Sequence, residues 1–288
     1  MRSTLLQRGL AITTSLIALT FPISFIEGKS ALAQISENRI ESAETQLLRS
    51  RNRHLYAQAK AELPAEFYAF YRIVDRITRA NELDVPYWRI RSSNNVIGAY
   101  AHGAYSLSIN TDLLALMEGN VSAVAYIIAH EMAHHVSGHT VQYAKFQQDL
   151  SEEISTAIGE SRDLVEIMEE IARASSNFQD RFQAFRQHLE IEADEVALKY
   201  MARAGFNPEG AVQVFAVYRD IYGINEEMEA RLEKIKSLPS LLSLADQGRK
   251  RIATTAPMSY ELSESGNSLR IMRESIDYAA ILEDMFDR

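Results

Sequence analysis

The sequence VSAVAYIIAHEMAH, residues 121–134, decides the fold. Its first nine residues are apolar except for Ser122, and neither Gly nor Pro interrupts them. A helix that is apolar nearly all round belongs in the interior of a domain rather than on its surface. Asn120 precedes the run and can cap its first turn. We therefore predict a buried helix that runs from Val121 to about Gly138.

The second half of this helix carries two histidines and a glutamate. His130 and His134 are four residues apart, so their side chains leave one face of the helix. Two imidazoles at that spacing can bind one metal ion, as in zinc sites. Glu131 lies on the neighbouring face, where it can act as a general base on a water molecule without binding the metal itself. A hydrogen-bonded polar cluster is the alternative until a third ligand is found.

A third ligand can come from one of two places. The metzincin pattern places a Gly three residues and a His six residues beyond the second histidine, but Ser137 and Thr140 stand there, which excludes it. The other source is a carboxylate on a later helix. Glu190 and Asp194 are four residues apart and share a helix face. Glu190 can bind the metal, while Asp194 accepts a hydrogen bond from the outer nitrogen of a ligand histidine.

The other polar residues near these motifs are interpreted as structural. Glu192 points about 200° away from Glu190 around the helix, so we expect it at the surface. His135 points about 100° away from its neighbour, which favours a hydrogen-bonding or surface role over metal binding. The remaining histidines outside the predicted strands are also not expected to bind metal. We expect His54 and His188 at the surface, and His139 bonded to neighbouring loops.

The rest of the chain predicts many helices and little sheet. Pro64 can start a helix, and strand-forming residues are concentrated at 87–91 and 96–109. A long helix is expected over 176–204, with Gly205 ending it. The predicted fold class is mainly α with a small β-sheet (α+β).

The amino-acid composition excludes some classes of partner and limits the residue types that could bind a metal. The formal net charge is −9, which argues against a nucleic acid held by phosphate contacts. There is no cysteine, so a disulfide scaffold is excluded and a metal site must be built from His, Asp and Glu.

Residues 1–33 have the pattern of a secretory signal. Arg2 and Arg8 begin it, an apolar run follows, and an Ala-x-Ala site ends at Ala33. A retained membrane anchor is the alternative, because a run of about 18 apolar residues is just long enough to cross a bilayer, but Pro22 interrupts it. We predict cleavage after Ala33 and a periplasmic or secreted protein without an integral membrane span.

These motifs together resemble the M48 family of zinc metallopeptidases, which includes membrane-embedded CAAX-processing proteases and soluble periplasmic relatives. The HExxH signature is matched at 130–134 and the ExxAD signature at 190–194. Further similar stretches are GAYA at 98–101 leading to TDLL at 111–114, AGFNP at 204–208, and SLPS at 237–240 leading to Arg251-Ile252.

The resemblance implies a zincin-like peptidase domain built on an active-site helix. It covers 64–254, preceded by an N-terminal helical segment at 34–63 and followed by a helical tail at 255–288. It implies one Zn²⁺ per chain, held by three ligands and accompanied by a base and a supporting carboxylate. The ligands are His130, His134 and Glu190, the base is Glu131, and the supporting carboxylate is Asp194.

The implied activity is zinc-dependent endopeptidase cleavage, with unfolded or misassembled proteins as substrates in extracytoplasmic quality control. Substrate is expected to lie extended beside Ala99, Tyr100 and Ala101, because backbone pairing at a strand edge recognises unfolded chain without regard to sequence. Two alternatives remain: a catalytically weak zinc-containing chaperone or scaffold for envelope proteins, and a membrane-embedded processing enzyme.

The chain departs from the family pattern at two positions. The family Asn of the strand segment falls on Gly98, and the family His before Pro falls on Leu238. The resemblance therefore leaves the group that stabilises the transition state unassigned. The polar candidates nearby are Tyr100, His102 and Tyr105, each equally open to a structural role.

Overall fold

A computed structural model describes residues 31–83, 85–94, 98–160, 164–223, 225–237, 241 and 243–273. The chain divides into two compact units, 1–43 and 44–288, and in the first of them only the start of a helix is described. Most of the predicted signal sequence lies outside the described residues, so cleavage after Ala33 stays a prediction. Within the described part, no helix has the length and apolarity that a bilayer span requires.

The described residues form nine helices and five strands, and the predicted fold class, mainly α with a small sheet, is confirmed. In chain order they are α1 (Ala31–Glu62), α2 (Ala65–Asn81), β1 (Tyr87–Ser92), β2 (Ala99–His102), β3 (Ser106–Ile109), α3 (Leu113–Leu116), α4 (Val121–Val136), α5 (His139–Glu160), α6 (Leu164–Ala204), α7 (Gly210–Tyr222), α8 (Glu226–Ser237), α9 (Leu244–Thr254), β4 (Ser259–Leu262) and β5 (Ser268–Met272).

The strands form one sheet in the order β2-β3-β1-β5-β4. Strands β1 and β3 are parallel, whereas the other neighbours are antiparallel. Alternate side chains of β1, Trp88 and Ile90, are fully buried, as the period of two in a strand requires. Strand β2 lies at one edge of the sheet, so no strand of the described part pairs with its outer side.

The predicted helical tail at 255–288 is wrong over the strands β4 and β5, and residues 274–288 lie outside the described part. The sequence SLRIM alternates apolar and polar residues, and its Leu269 and Ile271 are fully buried. These side chains pack only if the segment is extended and pairs with β1. Gly266, at φ +68, supplies the turn between the two strands.

Helix α4 occupies the centre of the core. Ten of its residues are buried, and it packs against α6, α7, β2 and β3. Helix α6 lies against it along the part that carries the ExxAD signature and ends at Gly205, as predicted. The two motif-bearing helices are therefore held together by apolar packing, with the edge strand beside them.

Candidate metal centre

The start of α4 is fixed by its cap. The side-chain oxygen of Asn120 accepts hydrogen bonds from the backbone N–H groups of Ser122 at 2.9 Å and Ala123 at 3.2 Å, as predicted. Because the apolar residues that follow are buried, the helix cannot rotate about its axis without exposing them. The face that carries His130 and His134 is thereby directed towards α6.

Three potential ligands meet between α4 and α6. Nε2 of His130 lies 3.1 Å from Nε2 of His134, and the carboxylate of Glu190 lies 3.3 Å from the first and 3.7 Å from the second. Tetrahedral zinc with bonds of 2.0–2.1 Å separates its ligand atoms by about 3.3 Å. The three ligand atoms, all within 4.8 Å of one another, therefore fit one metal ion.

Asp194 lies behind His130, as the spacing on α6 predicted. Its Oδ1 is 2.9 Å from Nδ1 of His130, although the ring N–H does not point straight at it. Burial alone would lower the pKa of His130, but contacts with Asp194 and Glu190 raise it to about 10. Asp194 and Glu190 thus stabilise positive charge on the ring of His130.

The sequence did not point to Arg231, a half-buried residue of α8. Its guanidinium lies 2.7 and 2.8 Å from the two oxygens of Asp194, and its Nη1 lies 2.9 Å from Glu190. Although burial acts to raise the pKa of Glu190, the contacts with His130 and Arg231 lower it to about 2. Both carboxylates are therefore held in the ionised form, ready to act as acceptors or ligands.

The ring of His134 also has polar contacts, through His139 to Glu192. Its Nδ1 lies 2.8 Å from Nδ1 of the buried His139, whose Nε2 lies 3.6 Å from the carboxylate of Glu192. If Nε2 of His134 binds a metal, its ring proton is on Nδ1 and is donated in a hydrogen bond to Nδ1 of His139. The proton of His139 is then on Nε2, which faces Glu192. Glu192 is 42% exposed, as expected, but it also ends this chain of contacts.

Glu131 lies beside the three ligands without being one of them. Its Oε2 accepts a hydrogen bond of 2.7 Å from the backbone N–H of Ala101 in the edge strand β2. Burial, reinforced by the negative charge of Glu190, raises the pKa of Glu131 to about 7 despite the opposing effect of His130. A carboxyl group with such a pKa can both accept and release a proton near neutral pH.

The predicted substrate residues lie in β2, next to this centre. The backbone N–H of Asn110 donates to the carbonyl of Gly98. Hydrogen-bonded and non-hydrogen-bonded residue pairs alternate along an antiparallel ladder, so Tyr100 and Ser108, two pairs further on, also form a hydrogen-bonded pair. The backbone polar groups of Ala99 and Ala101 therefore point to the open edge. One of them, the N–H of Ala101, is already bound to Glu131.

The other residues that the sequence analysis singled out form contacts of their own or lie at the surface. The ring of Tyr105 packs against Trp88 and His135, and Nε2 of His135 lies 3.0 Å from the carbonyl of Ser106, which confirms its predicted hydrogen-bonding role. His102 contacts the Ser106 hydroxyl at 3.4 Å. Exposed positions are confirmed for His54 and His188. Leu238 lies outside the described residues.

Comparison with known proteins agrees with the motifs. The sequence model described as peptidase family M48 matches residues 64–261, more than half of the chain. The match begins at Pro64, ahead of α2, and reaches into β4. A search of curated proteins finds no match. The chain belongs to peptidase family M48, a family of metallopeptidases.

Proposed function

We propose that this protein is a zinc-dependent endopeptidase. The observation that carries the proposal is the convergence of His130, His134 and Glu190 on one point, with the non-ligand carboxylate of Glu131 next to it. Three protein ligands leave a fourth position of tetrahedral zinc open, which is typical of catalytic rather than structural sites. Zinc held there supplies a Lewis acid that polarises the scissile carbonyl and activates water.

Glu131 moves the proton in this reaction. It takes a proton from the attacking water and passes it to the leaving amine when the C–N bond breaks. Burial, which raises the pKa of Glu131, favours its uptake of that proton. The N–H of Ala101 keeps its carboxylate aimed at the site, so the base does not depend on substrate for its orientation.

The substrate binds as an extended chain along the open edge of β2. Ala99 offers its N–H and carbonyl there, and Ala101 offers its carbonyl, whereas the Ala101 N–H serves Glu131. Recognition by backbone groups suits unfolded or misassembled proteins, because it depends little on sequence. With the predicted signal at 1–33, this supports a role in extracytoplasmic protein quality control.

Casein cleavage by wild type and by Glu131→Gln tests the proposal. The substitution keeps the size of the side chain but removes the base, so we expect casein fragments from wild type and a rate lower by at least about 100-fold in the variant. Both proteins should carry the same amount of metal, which serves as the control.

A wild-type protein that holds its metal but cleaves no faster than the variant would contradict the endopeptidase function. Suppression of casein aggregation by both proteins would then support the alternative, a chaperone or scaffold.

A further inference from the structure

The hydroxyl of Tyr218 lies beside the edge strand β2, and no contact among the described residues gives it a structural role. It is a half-buried residue of α7, the helix that packs on α4. A Cβ atom at Gly98, the residue before β2, would overlap this hydroxyl oxygen. The hydroxyl therefore lies at the start of the strand along which we place the substrate.

Among the described residues none forms a hydrogen bond with this hydroxyl, and the ring contacts Tyr222 edge-on at 6.0 Å. Burial, together with the negative charge of Glu131, raises the pKa of Tyr218 well above its usual value. The group therefore keeps its proton throughout the range in which an enzyme works, and it lies close enough to Glu131 to sense its charge.

Two other donors near the centre already have partners. Arg231 binds Asp194 and Glu190, and the Tyr126 hydroxyl donates to Asp194 at 2.5 Å. Amide hydrolysis places negative charge on the carbonyl oxygen in its transition state, and a positioned neutral donor for that charge is worth a large factor in rate. The Tyr218 hydroxyl has no hydrogen-bond partner among the described residues, and it lies against Gly98 at the start of β2.

We propose that Tyr218 is a catalytic residue that donates a hydrogen bond to the scissile carbonyl oxygen as this oxygen becomes an oxyanion, an inference that rests on the proposed peptidase function. Water adds to the carbonyl carbon, its proton passes to Glu131, and the C=O π electrons move onto the oxygen. The electrons then return, the C–N bond breaks, and Glu131 protonates the amine. Tyr218 keeps its own proton throughout. Gly98 is required because a side chain there would displace the hydroxyl.

Tyr218→Phe tests this role, with Tyr222→Phe as the matched control on the same helix. We expect kcat of Tyr218→Phe to fall by about 100-fold, as for the loss of one oxyanion donor, while KM, metal content and melting temperature stay near wild type. Tyr222, which is 61% exposed, should tolerate the same change with full activity. Wild-type kcat in Tyr218→Phe, or an equal loss in both variants, would overturn the proposal.

A peptide phosphonate, a tetrahedral anion that imitates the intermediate, supplies a readout other than turnover. Tyr218→Phe should weaken phosphonate binding much more than binding of an uncleaved peptide. Equal weakening of both ligands would indicate a structural role and contradict the assignment.

A double-mutant cycle tests the contact with Gly98. Gly98→Ala strains the backbone at φ +112 in either background, so that strain cancels in the cycle. We expect the substitution to lower kcat much more in wild type than in Tyr218→Phe, because only wild type has a hydroxyl to displace. Equal effects in both backgrounds would contradict the proposed displacement.

Glu131→Gln separates the two proposals. If wild type cleaves casein no faster than Glu131→Gln, the endopeptidase function and the role of Tyr218 both fail. If wild type cleaves, Glu131→Gln does not, and Tyr218→Phe matches wild type, only the role of Tyr218 fails.

Discussion

Glu131, Glu190 and Asp194 lie close together but have different surroundings. The pKa values of Glu190 and Asp194 are lowered by His130 and Arg231, which outweigh the opposing effect of burial. Glu131 is bonded instead to the uncharged N–H of Ala101, and burial raises its pKa. The first two are thus suited to hold charge permanently and the third to exchange a proton, a division of roles that the pKa shifts themselves suggest.

Arg231 should matter for stability as well as for the site. Arg231→Ala leaves the buried carboxylate of Asp194 without its main partner, so we expect the free energy of unfolding to fall by about 3–5 kcal/mol. Urea denaturation of the chelator-treated proteins measures this loss.

Arg219→Ala on α7 is the control for that experiment. Arg219 forms an exposed ion pair with Asp220, and such pairs contribute less than about 1 kcal/mol. A loss at Arg231 no greater than the loss at Arg219 would show that the guanidinium is not needed to hold Asp194.

The sequence predicted the residues related by helical periodicity and missed those related only by packing. Spacings of four within α4 and within α6 placed His130, His134, Glu190 and Asp194 on facing sides, and the structure brings them together. Arg231 and Tyr218 stand on helices that reach the centre through tertiary contacts. No local pattern marks them, because each sits in an ordinary amphipathic or charged segment.

At the scale of elements, β2 has two functions. Its inner side pairs with β3, and its outer side presents backbone groups to Glu131 and, in the proposed function, to substrate. This follows from the alternation of hydrogen-bonding direction in an antiparallel pair, which fixes the outward residues as Ala99 and Ala101.

Ala99→Pro tests this use of the edge. Proline removes the outward N–H of Ala99 but no hydrogen bond to β3, and an edge strand tolerates proline where the N–H faces outward. Loss of one backbone hydrogen bond to substrate, worth about 1 kcal/mol, should raise KM by roughly 5-fold in steady-state peptide cleavage.

Ala99→Ser keeps the backbone donor and is the matched control. Its KM should remain at the wild-type value. If both variants raise KM equally, or if neither does, substrate does not pair with this N–H.

Strands β4 and β5 were harder to predict from the sequence than β1 to β3. β-branched and aromatic residues mark the segments that form β1 to β3, whereas β4 and β5 contain few of them and are separated by a polar turn. Such segments gain stability from the sheet that they join more than from their own propensity. Their helical assignment failed because β5 pairs with β1, which lies far away in sequence, and β4 joins the sheet only through β5.

At the scale of the whole molecule, β5 connects the end of the described chain to the first strand of the sheet, β1. It pairs with β1, and its Ile271 is fully buried. Ile271→Ala should therefore lower the free energy of unfolding by about 2–5 kcal/mol, as expected for a truncated core side chain. Denaturant titration measures the difference.

Arg270→Ala, on the opposite face of β5, is the control. Its side chain is half-buried and contacts Glu261 at 3.5 Å, so we expect a change within about 1 kcal/mol. Equal losses in the two variants would contradict the burial of the strand in the core.

Metal analysis of wild type and Glu190→Ala tests the central claim most directly, because this ligand comes from a different helix than the two histidines. We predict one zinc per chain in wild type, much less in Glu190→Ala at equal free zinc, and full occupancy in Glu131→Gln, whose substitution spares the ligands. A folded Glu190→Ala protein that binds one zinc as tightly as wild type would contradict the three-ligand centre.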